Sequence, residues 1–426
     1  MAVKHSCDLA GGRVGASSGF VFRPMTAIKP RASQSVPKAL ARYLSLDDFE
    51  RAARKKLPRM IYGFISGAAE TSATLRGNRL QFEHIDFIPR TLVDVRARSA
   101  RTVLFGKEYS APFGIAPMGA AALCAYRGDL SLARAASAAN VPMVVSASSL
   151  VPLEVIHDAH PGAWFQAYIP GDDDRIGSLV KRVSAAGYET LVVTVDLPVP
   201  ANRENNVRNG FQLPIVLSPR VMWDVSTSQR WFWQCLMQTM FRHGMPHFEN
   251  MEATQGPPVF SRNLARNADR RDALNWEHIA LIRRLWKGPL LLKGVLSAAD
   301  AKLARACGVD GLILSNHGGR QLDYTISPLK VLPEIAAEAG DMTIIVDGGI
   351  RRGSDVLKAM ALGAKFVLVG RPFLFAAVAG GEPAVGRAIS LLREETERNM
   401  GLLGMVRLDE IGPAHIRSSN RSGQSN

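Results

Sequence analysis

Short runs of apolar and β-branched residues alternate with amphipathic helical segments along most of the chain after about residue 111. An apolar run bounded by turn residues is typical of a buried strand in a parallel sheet, with the helical segments covering its outer face. The runs are Phe113–Ala116, Pro142–Val145, Trp164–Tyr168, Leu191–Val195, Leu290–Lys293, Gly311–Ser315, Thr343–Val346 and Phe366–Gly370. Eight such strand–helix units predict an α/β fold that closes into a (β/α)8 or TIM barrel.

Polar residues mark where several helices begin. Ser45, followed three residues later by Asp48, has the pattern of a capping box in front of an N-terminal helical segment. Ser297, Ser354 and the acidic turn that starts at Asp172 precede three of the helical segments between strands. Side-chain oxygens at such positions accept hydrogen bonds from the free N–H groups of a first helical turn, so we expect each to begin a helix.

Three parts of the chain lie outside this alternation. Residues 1–40 are basic and poor in acids, and we interpret them as a disordered extension, a transit peptide, or a start placed ahead of a true one at Met25. The barrel with its N-terminal helical segment is expected over residues 41–415, and the polar residues 416–426 are expected to be a disordered tail. The unusually long interval between the fourth and fifth strands predicts an insertion at about residues 211–275.

The insertion is rich in large apolar side chains and in arginine. These residues include Trp223, Trp231, Phe232, Trp233, Met237, Met240, Phe241, Met245 and Phe248, with Arg220, Arg230 and Arg242 among them. Aromatic residues mixed with arginines suit a surface that contacts a membrane or a partner. The alternative is a lid whose aromatic side chains pack on the top of the barrel, and the sequence leaves both open.

The composition narrows the function classes. Of 426 residues, 47% are hydrophobic and 21% charged, as in soluble globular enzymes. The net charge of +14 is spread along the chain without a basic run that alternates with aromatics, which argues against nucleic-acid binding. The four cysteines lie far apart, which argues against disulfides and a structural metal and fits a reducing compartment. No apolar stretch is long enough to span a membrane.

Each predicted strand is followed by polar or glycine-rich residues. In a parallel barrel, the carboxyl ends of all strands lie at one end, where the active sites of this fold form. The residues are Pro117, Met118 and Gly119 after the first strand, Ser146 at the second, Gln166 and Tyr168 at the third, Thr194 and Asp196 at the fourth, Lys293 at the fifth, Ser315–Arg320 at the sixth, Asp347–Arg351 at the seventh, and Gly370 and Arg371 at the eighth. Polar groups at all eight strand ends predict a single ligand site.

The chemistry of these residues indicates the ligand. Gly349 with Arg351, and Gly370 with Arg371, combine glycines that let N–H groups approach a ligand with guanidinium groups that bind phosphate oxygens. The neutral donors and acceptors at the first four strand ends suit a heteroaromatic edge, and Lys293 would stabilise a ring that becomes anionic on reduction. Together these groups predict FMN. No G-x-G-x-x-G follows a strand, so a nicotinamide site is not supported.

A second set of residues suits the oxidation of a 2-hydroxy acid. His317 lies at a strand end between polar and glycine residues, where it can remove a proton, and Asp196 can stabilise the resulting imidazolium. Arg320 and Arg203 are candidate partners for the substrate carboxylate. Tyr168 can hydrogen-bond to the substrate hydroxyl. A solvent-exposed loop position for Arg203, and simple packing for Tyr168, are the alternatives.

The segment Ser315–Asp323, SNHGGRQLD, resembles the signature of the FMN-dependent α-hydroxy acid dehydrogenase/oxidase family. The resemblance extends over about residues 45–410, with further matches in the family's order at Leu57-Pro58, Ser66-Gly67-Ala68, Trp164-Phe165-Gln166, Thr194-Val195-Asp196, Leu292-Lys293-Gly294 and Asp347–Arg351. It implies an FMN-dependent enzyme that oxidises a small L-2-hydroxy acid to the 2-oxo acid. Gly119, Arg242–Pro246 and Asn275–Glu277 are most similar to the membrane-associated, quinone-linked bacterial members that act on mandelate or lactate.

The resemblance also implies a role for each site residue. His317 would be the catalytic base with Asp196 behind it, and Lys293 would lie at the N1/O2 edge of the flavin. The substrate-binding residues would be Arg203, Arg320 and Tyr168. The remaining FMN-binding residues would be Pro117, Met118, Gly119, Ser146, Gln166, Thr194, Ser315, Asp347, Gly349, Arg351, Gly370 and Arg371.

One position departs from the family pattern. The family has a substrate-binding tyrosine two residues after the position of Tyr62, and this chain has Phe64 there. The missing hydroxyl removes one hydrogen bond to the substrate carboxylate, worth on the order of 1 kcal/mol. We therefore expect catalysis to survive with an altered substrate preference.

The resemblance implies a membrane quinone as electron acceptor, with oxygen as the alternative, and a homotetramer. It further implies a cytoplasmic protein, with peripheral contact to the inner membrane through residues 211–275 as the alternative to a free one. Two other functions fit the same barrel. One is a different phosphate-binding enzyme, either an FMN-dependent isomerase or an aldolase with Lys293 as Schiff base; the other is an inactive scaffold.

Overall fold

The computed structural model describes residues 37–211, 218–259, 261 and 271–419. The strands are β1 Ile85–Phe87, β2 Thr102–Leu104, β3 Lys107–Tyr109, β4 Phe113–Ile115, β5 Val144–Ser146, β6 Trp164–Ala167, β7 Leu191–Thr194, β8 Leu290–Lys293, β9 Gly311–Leu314, β10 Thr343–Asp347, β11 Phe366–Val369 and β12 Ile416–Ser418. The α-helices are α1 Lys38–Ala41, α2 Leu46–Arg54, α3 Arg59–Ser66, α4 Ala73–Glu83, α5 Ala121–Cys124, α6 Gly128–Ala139, α7 Leu153–Ala159, α8 Asp173–Ala185, α9 Glu204–Arg208, α10 Pro219–Thr227, α11 Gln229–Trp231, α12 Gln238–His243, α13 Trp276–Leu285, α14 Ala298–Ala306, α15 Pro328–Glu338, α16 Gly353–Ala361 and α17 Arg371–Leu402.

The eight predicted strands form one parallel sheet, which confirms the barrel. Their order is β4-β11-β10-β9-β8-β7-β6-β5, and each neighbouring pair is parallel. A parallel bridge between Ile115 and Met143 lies between β4 and the residue just before β5, where the two outer strands meet. The carboxyl ends of all eight strands therefore point to the same end of the barrel.

The amino end of the barrel is closed by apolar side chains. Trp164 and Phe366, the first residues of β6 and β11, belong to the buried cluster inside the barrel. The antiparallel hairpin of β2 and β3 packs beneath them: Phe105 meets Trp164 edge-on at a ring-centroid distance of 5.8 Å, and Tyr109 lies 6.0 Å from Phe366. These aromatic side chains at the amino end of the barrel are called the aromatic floor below. The polar residues lie at the opposite, carboxyl end.

Three of the four predicted helix starts are confirmed. Ser45 and Asp48 form a capping box in front of α2, in which the backbone N–H of Ser45 donates to Asp48 Oδ2 at 2.9 Å. Ser297 and Asp172 each accept a hydrogen bond from the backbone N–H three residues further on, and they begin α14 and α8. Local side-chain chemistry alone fixes these three helix starts.

A helix begins at the predicted place, but Ser354 does not cap it. Helix α16 begins at Gly353, with Arg352 as the capping residue. Two carboxylates satisfy its first N–H groups: Asp355 Oδ2 accepts from the backbone of Arg352 at 3.0 Å, and Glu395 Oε2 accepts from Gly353 at 2.9 Å. Because Glu395 lies on the distant helix α17, the sequence around Ser354 gives no sign of this cap.

The predicted disordered tail is also wrong in its first residues. Strand β12 pairs antiparallel with β1, with Ile416 opposite Phe87 and Ser418 opposite Ile85. Backbone pairing to a short edge strand requires no apolar pattern, which is why the polar sequence conceals it. The remainder of the tail, residues 420–426, and residues 1–36 of the predicted extension lie outside the described residues.

The insertion holds a helical segment with one buried and one exposed side. It contains α10, α11, a π-helical stretch Phe232–Met237 and α12. Trp231 is buried and donates from Nε1 to the carbonyl of Leu123 on α5 at 2.9 Å. Trp223, Trp233 and Phe241 are 73%, 59% and 77% exposed. In the described ranges, no helix has both the length and the apolar character needed to cross a membrane.

Candidate active site

A cavity of about 310 Å³ lies at the carboxyl end of the barrel. Fourteen of the predicted site residues line it: Pro117, Met118, Gly119, Tyr168, Thr194, Arg203, Lys293, His317, Arg320, Asp347, Gly349, Arg351, Gly370 and Arg371. The other four, Ser146, Gln166, Asp196 and Ser315, lie directly behind this lining and hydrogen-bond to it or to each other. The structure thus brings the strand ends together around one space.

The centre of the cavity floor is a buried ion pair. Lys293 Nζ lies 3.0 Å from Asp347 Oδ2, and their side chains are 4% and 13% exposed. Ser315 joins the pair, since its Oγ accepts from Lys293 at 2.9 Å and donates to Asp347 at 3.0 Å. Burial disfavours the charged amine, but Asp347 and Asp196 outweigh it and raise the pKa of Lys293. The ammonium therefore keeps its charge beneath the cavity.

Two buried polar atoms beside this pair have no partner in the described part of the chain: Gln166 Nε2 and Thr194 Oγ1. On the other side of the amide, Gln166 Oε1 accepts from Ser146 Oγ at 3.1 Å, which fixes its orientation. A buried amide or hydroxyl without a hydrogen bond costs roughly 1–3 kcal/mol. Both atoms therefore indicate a ligand with donors and acceptors along its edge.

Two arginines form the cationic end of the cavity. Arg351 and Arg371 both line it, and neither forms an ion pair with a described carboxylate. Burial, with Arg351 close by, lowers the pKa of Arg371 to about 10, so it remains protonated at neutral pH. Gly349 adopts a φ of 79°, and a Cβ there would come within 2.6 Å of the Asn78 carbonyl. Two such cations next to a glycine loop suit a dianionic phosphate.

His317 is held by its backbone and by its ring. Its φ of 56° is in the left-handed region, which is uncommon for a residue with a side chain and often marks a functional site. Its N–H donates to Ser315 Oγ at 3.0 Å, and its Nδ1 lies 3.0 Å from Asp196 Oδ1. Among described residues Nε2 has no hydrogen-bond partner, so this nitrogen is free for a ligand.

The charges around His317 set its protonation. Burial is the largest effect and lowers the pKa of His317, although Asp196 opposes it. Burial opposes ionisation of Asp196 as well, but the interactions with His317 and Lys293 outweigh it and lower the pKa of Asp196. The pair therefore favours a neutral imidazole that faces an ionised carboxylate, which is the state required of a base.

Two arginines and a tyrosine surround the free face of His317. Arg320 Nη1 donates to the carbonyl of Phe64 at 2.7 Å, and Arg203 Nη2 donates to the side chain of Gln321 at 2.7 Å. These bonds orient both guanidinium groups and leave further N–H donors for a ligand. Burial raises the pKa of Tyr168, so its hydroxyl stays neutral and can donate.

Several apolar residues and one charged residue of the site were not predicted from the sequence. Phe211, Phe248 and Val259, all from the insertion, line the cavity together with Leu123 and Arg271. Phe64, the position that departs from the family pattern, stacks on the ring of Phe211 with centroids 4.3 Å apart. No local motif marks these residues, because the insertion reaches the cavity only through the folded chain.

The comparisons with known proteins agree with this geometry. (S)-Mandelate dehydrogenase from Pseudomonas putida is 36% identical over 375 residues, which cover 88% of this chain and 94% of that protein. L-lactate dehydrogenase from Caulobacter sp. is 38% identical over 388 residues, covering 88% of this chain and 99% of the relative.

Solved structures of similar proteins share the fold. A crystal structure described as that of the monotopic membrane protein (S)-mandelate dehydrogenase is 36% identical, with a TM-score of 0.83, and the match covers 89% of this chain and all of that one. A mandelate oxidase structure is 34% identical with a TM-score of 0.73, covering 88% and 99%. Residues 53–418 match the family described as FMN-dependent dehydrogenase. This chain therefore belongs to the FMN-dependent dehydrogenases.

Proposed function

We propose that this enzyme oxidises an L-2-hydroxy acid to the 2-oxo acid and passes the electrons to a membrane quinone. The main support for this proposal is that His317, whose ring contacts Asp196, lines the same cavity as Arg203, Arg320 and the positively charged Lys293. A base, a carboxylate-binding pair and a fixed positive charge are the groups that this reaction requires. Both relatives compared above are named for substrates of this class.

The residues present fit FMN. The two unpartnered polar atoms of Gln166 and Thr194 suit the hydrogen-bonding edge of its ring, and Arg351 with Arg371 suits its phosphate. Asp347 lines the cavity, where its carboxylate can accept from a hydroxyl of the polyol chain. FMN bound there would supply the two-electron acceptor, and the charge of Lys293 would favour its reduced, anionic form.

The chain's own residues position the substrate and move its proton. Arg320 and Arg203 bind the carboxylate through donors that their backbone and side-chain partners leave free. The neutral hydroxyl of Tyr168 hydrogen-bonds to the substrate oxygen. His317 Nε2 then takes the proton that the substrate releases as it is oxidised. The ionised carboxylate of Asp196 stabilises the imidazolium that forms.

An aldolase that uses Lys293 as a Schiff base is disfavoured by the same geometry. A lysine nucleophile must lose its proton, and enzymes achieve this by lowering its pKa. Here Asp347 and Asp196 raise the pKa of Lys293 instead, and its amine is held by Asp347 and Ser315. The ion pair therefore favours an electrostatic role over a nucleophilic one.

The proposed reaction is tested with a panel of 2-hydroxy acids under anaerobic conditions. The purified yellow protein should bleach with at least one L-2-hydroxy acid, including L-lactate and (S)-mandelate, and not with its D enantiomer. Reoxidation is then followed separately with a ubiquinone analogue and with oxygen. A reoxidation rate by oxygen equal to that by the quinone would replace the dehydrogenase proposal by an oxidase, and no bleaching with any acid would reject both.

We further propose that the exposed side of the insertion binds a membrane surface. The exposed large apolar residues of the insertion are Met222, Trp223, Trp233, Phe241 and Met245, and the exposed arginines Arg220, Arg230 and Arg242 lie on α10, α11 and α12. Exposed tryptophan and phenylalanine next to arginine match the chemistry of the lipid headgroup region. The relative described as a monotopic membrane protein supports the same location.

The triple variant Trp223→Ser, Trp233→Ser and Phe241→Ser should lose membrane binding. Each side chain is largely exposed, so its removal is expected to leave the fold intact while the apolar contact with lipid disappears. Co-sedimentation with vesicles that contain anionic lipid measures the effect, and dye-linked activity in solution should persist. The matched control replaces exposed leucines elsewhere, Leu44 and Leu402, with serine; equal loss of sedimentation in both variants would contradict the proposal.

The family resemblance also leads us to propose a homotetramer. Multi-angle light scattering of the purified protein measures this directly, and a monomeric mass would reject it.

A further inference from the structure

Arg271 is a cation of the site that the proposed reaction does not use. It lies at the end of the insertion, in the turn Arg271–Ala273, and its guanidinium carbon lies 4.9 Å from the ring centroid of Tyr168. It lines the same cavity as His317. Over the ranges that the structure describes, its side chain forms neither a hydrogen bond nor an ion pair. Among the described residues its electrostatic neighbours are Tyr168 and another cation, Arg175, so no described acid balances its charge.

When the charges around the cavity are counted, the positive charge of Arg271 is left without a negative counterpart. The cationic lining residues are Arg203, Arg271, Lys293, Arg320, Arg351 and Arg371, and the acidic one is Asp347. Lys293 is paired with Asp347, and the phosphate of FMN requires the two arginines at the cationic end. Asp196 and the substrate carboxylate balance Arg203 and Arg320. With oxidised flavin, one positive charge then remains on this count, that of Arg271, whose guanidinium lies against the ring of Tyr168.

A second cavity extends beyond Arg271. It has a volume of about 240 Å³ and shares Tyr168, Thr194, Leu197 and Arg271 with the first, so these residues form the partition between the two. The other residues that line it include Asn275 and one acid, Asp300. A substrate with a longer side chain can thus extend from the first cavity towards Leu197 and Arg271, and Arg271 is the charged residue that lines both cavities.

We propose that Arg271 binds a second anionic group, carried on the side chain of the substrate, so that the preferred substrates are 2-hydroxy acids with a second carboxylate. This inference rests on the proposed function and narrows its substrate class. A half-buried guanidinium without a partner among the described residues discriminates between substrates, because a monoacid leaves its charge unbalanced whereas a diacid forms a charge-assisted hydrogen bond. Arg271 would therefore determine which substrate is preferred, whereas His317 would carry out the proton transfer.

The test compares L-2-hydroxyglutarate with L-2-hydroxypentanoate, which has the same number of carbon atoms but a methyl group in place of the second carboxylate. The wild type should show a kcat/KM at least about 10-fold higher for the diacid. Arg271→Gln should lower kcat/KM for the diacid by about 10- to 100-fold, the effect of losing a hydrogen bond to a charged group, and change the monoacid less than about 3-fold. Arg271→Lys should retain part of the preference. The matched control is Arg175→Gln, which removes a neighbouring cation that is already paired with Glu252.

Three results would overturn the inference: an equal loss for both acids, which would assign Arg271 to the common carboxylate; no change for either acid; or a wild type that prefers the monoacid. A binding measurement separates this inference from the reaction. Perturbation of the flavin spectrum by 2-oxoglutarate and by 2-oxopentanoate reports affinity without turnover. Tighter binding of the diacid that depends on Arg271 would support the inference even if no 2-hydroxy acid bleached the flavin, and no difference would reject it.

Discussion

Replacement of His317 by glutamine is expected to lower kcat by about 10²- to 10⁴-fold, the usual contribution of a positioned general base. Glutamine keeps a polar side chain of similar length but cannot take up the proton. The FMN-binding residues at the cationic end of the cavity are untouched, so the variant should remain yellow. Stopped-flow bleaching under anaerobic conditions measures the step directly and separates it from reoxidation.

The pH dependence provides an independent check on the same residue. Activity requires neutral His317 and should be lost as the pH falls through its pKa, which burial holds below the usual 6.5. The acidic limb of kcat/KM in the wild type should therefore lie below pH 6.5. The control variant His84→Gln alters a histidine at the end of α4, outside the cavity lining, and should behave as the wild type. A His317→Gln enzyme within about 10-fold of the wild type would remove this residue from the role of base.

Replacement of Lys293 by methionine is expected to have the largest effect on stability. The change removes one partner of a buried ion pair and leaves Asp347 with a neutral hydrogen-bond partner, Ser315, and a more distant cation, Arg371. Breaking a buried pair in this way typically costs about 3–5 kcal/mol. Urea unfolding of wild type and variant, both freed of FMN, measures the loss of free energy of unfolding. Flavin reduction by substrate should also be lost, because the charge beneath the ring is gone.

The double variant Lys293→Met with Asp347→Asn separates the loss of stability from the loss of flavin reduction. Neutralising the unpaired carboxylate should recover most of the free energy of unfolding, since a neutral pair no longer carries the cost of a buried charge. It should not recover flavin reduction. A single variant that lost less than about 1 kcal/mol would mean that water reaches Asp347 more readily than its 13% exposure indicates.

The barrel and most of its site could be predicted because their signals are local. Each strand is a short apolar run that ends in polar residues, and the symmetry of the fold brings those ends together whatever the details of the loops. Lys293, His317 and Arg371 could be placed at one opening from their strand positions alone. Their hydrogen-bond partners, such as the Phe64 carbonyl that accepts from Arg320, come from elements far away in sequence.

The residues that the sequence analysis missed depend on long-range contacts. Phe248 and Arg271 belong to the insertion, whose aromatic and basic composition suggested only an outer surface or a lid. In the structure, Trp231 packs on the barrel through α5, as expected of a lid, whereas Trp223 is exposed. Contact of the exposed residues with a membrane or a partner remains a proposal. The cap of α16 and the strand β12 were misjudged for the same reason, since a carboxylate from α17 and pairing with β1 determine them.

The aromatic floor has a consequence for the order of events in turnover. Because Phe105 and Tyr109 seal the barrel from below, traffic to the flavin passes through the carboxyl-end opening. In the proposed reaction, the 2-oxo acid product and the electron acceptor then use the same opening. In the proposed reaction, we therefore expect two successive half-reactions, in which the 2-oxo acid leaves before the electron acceptor enters.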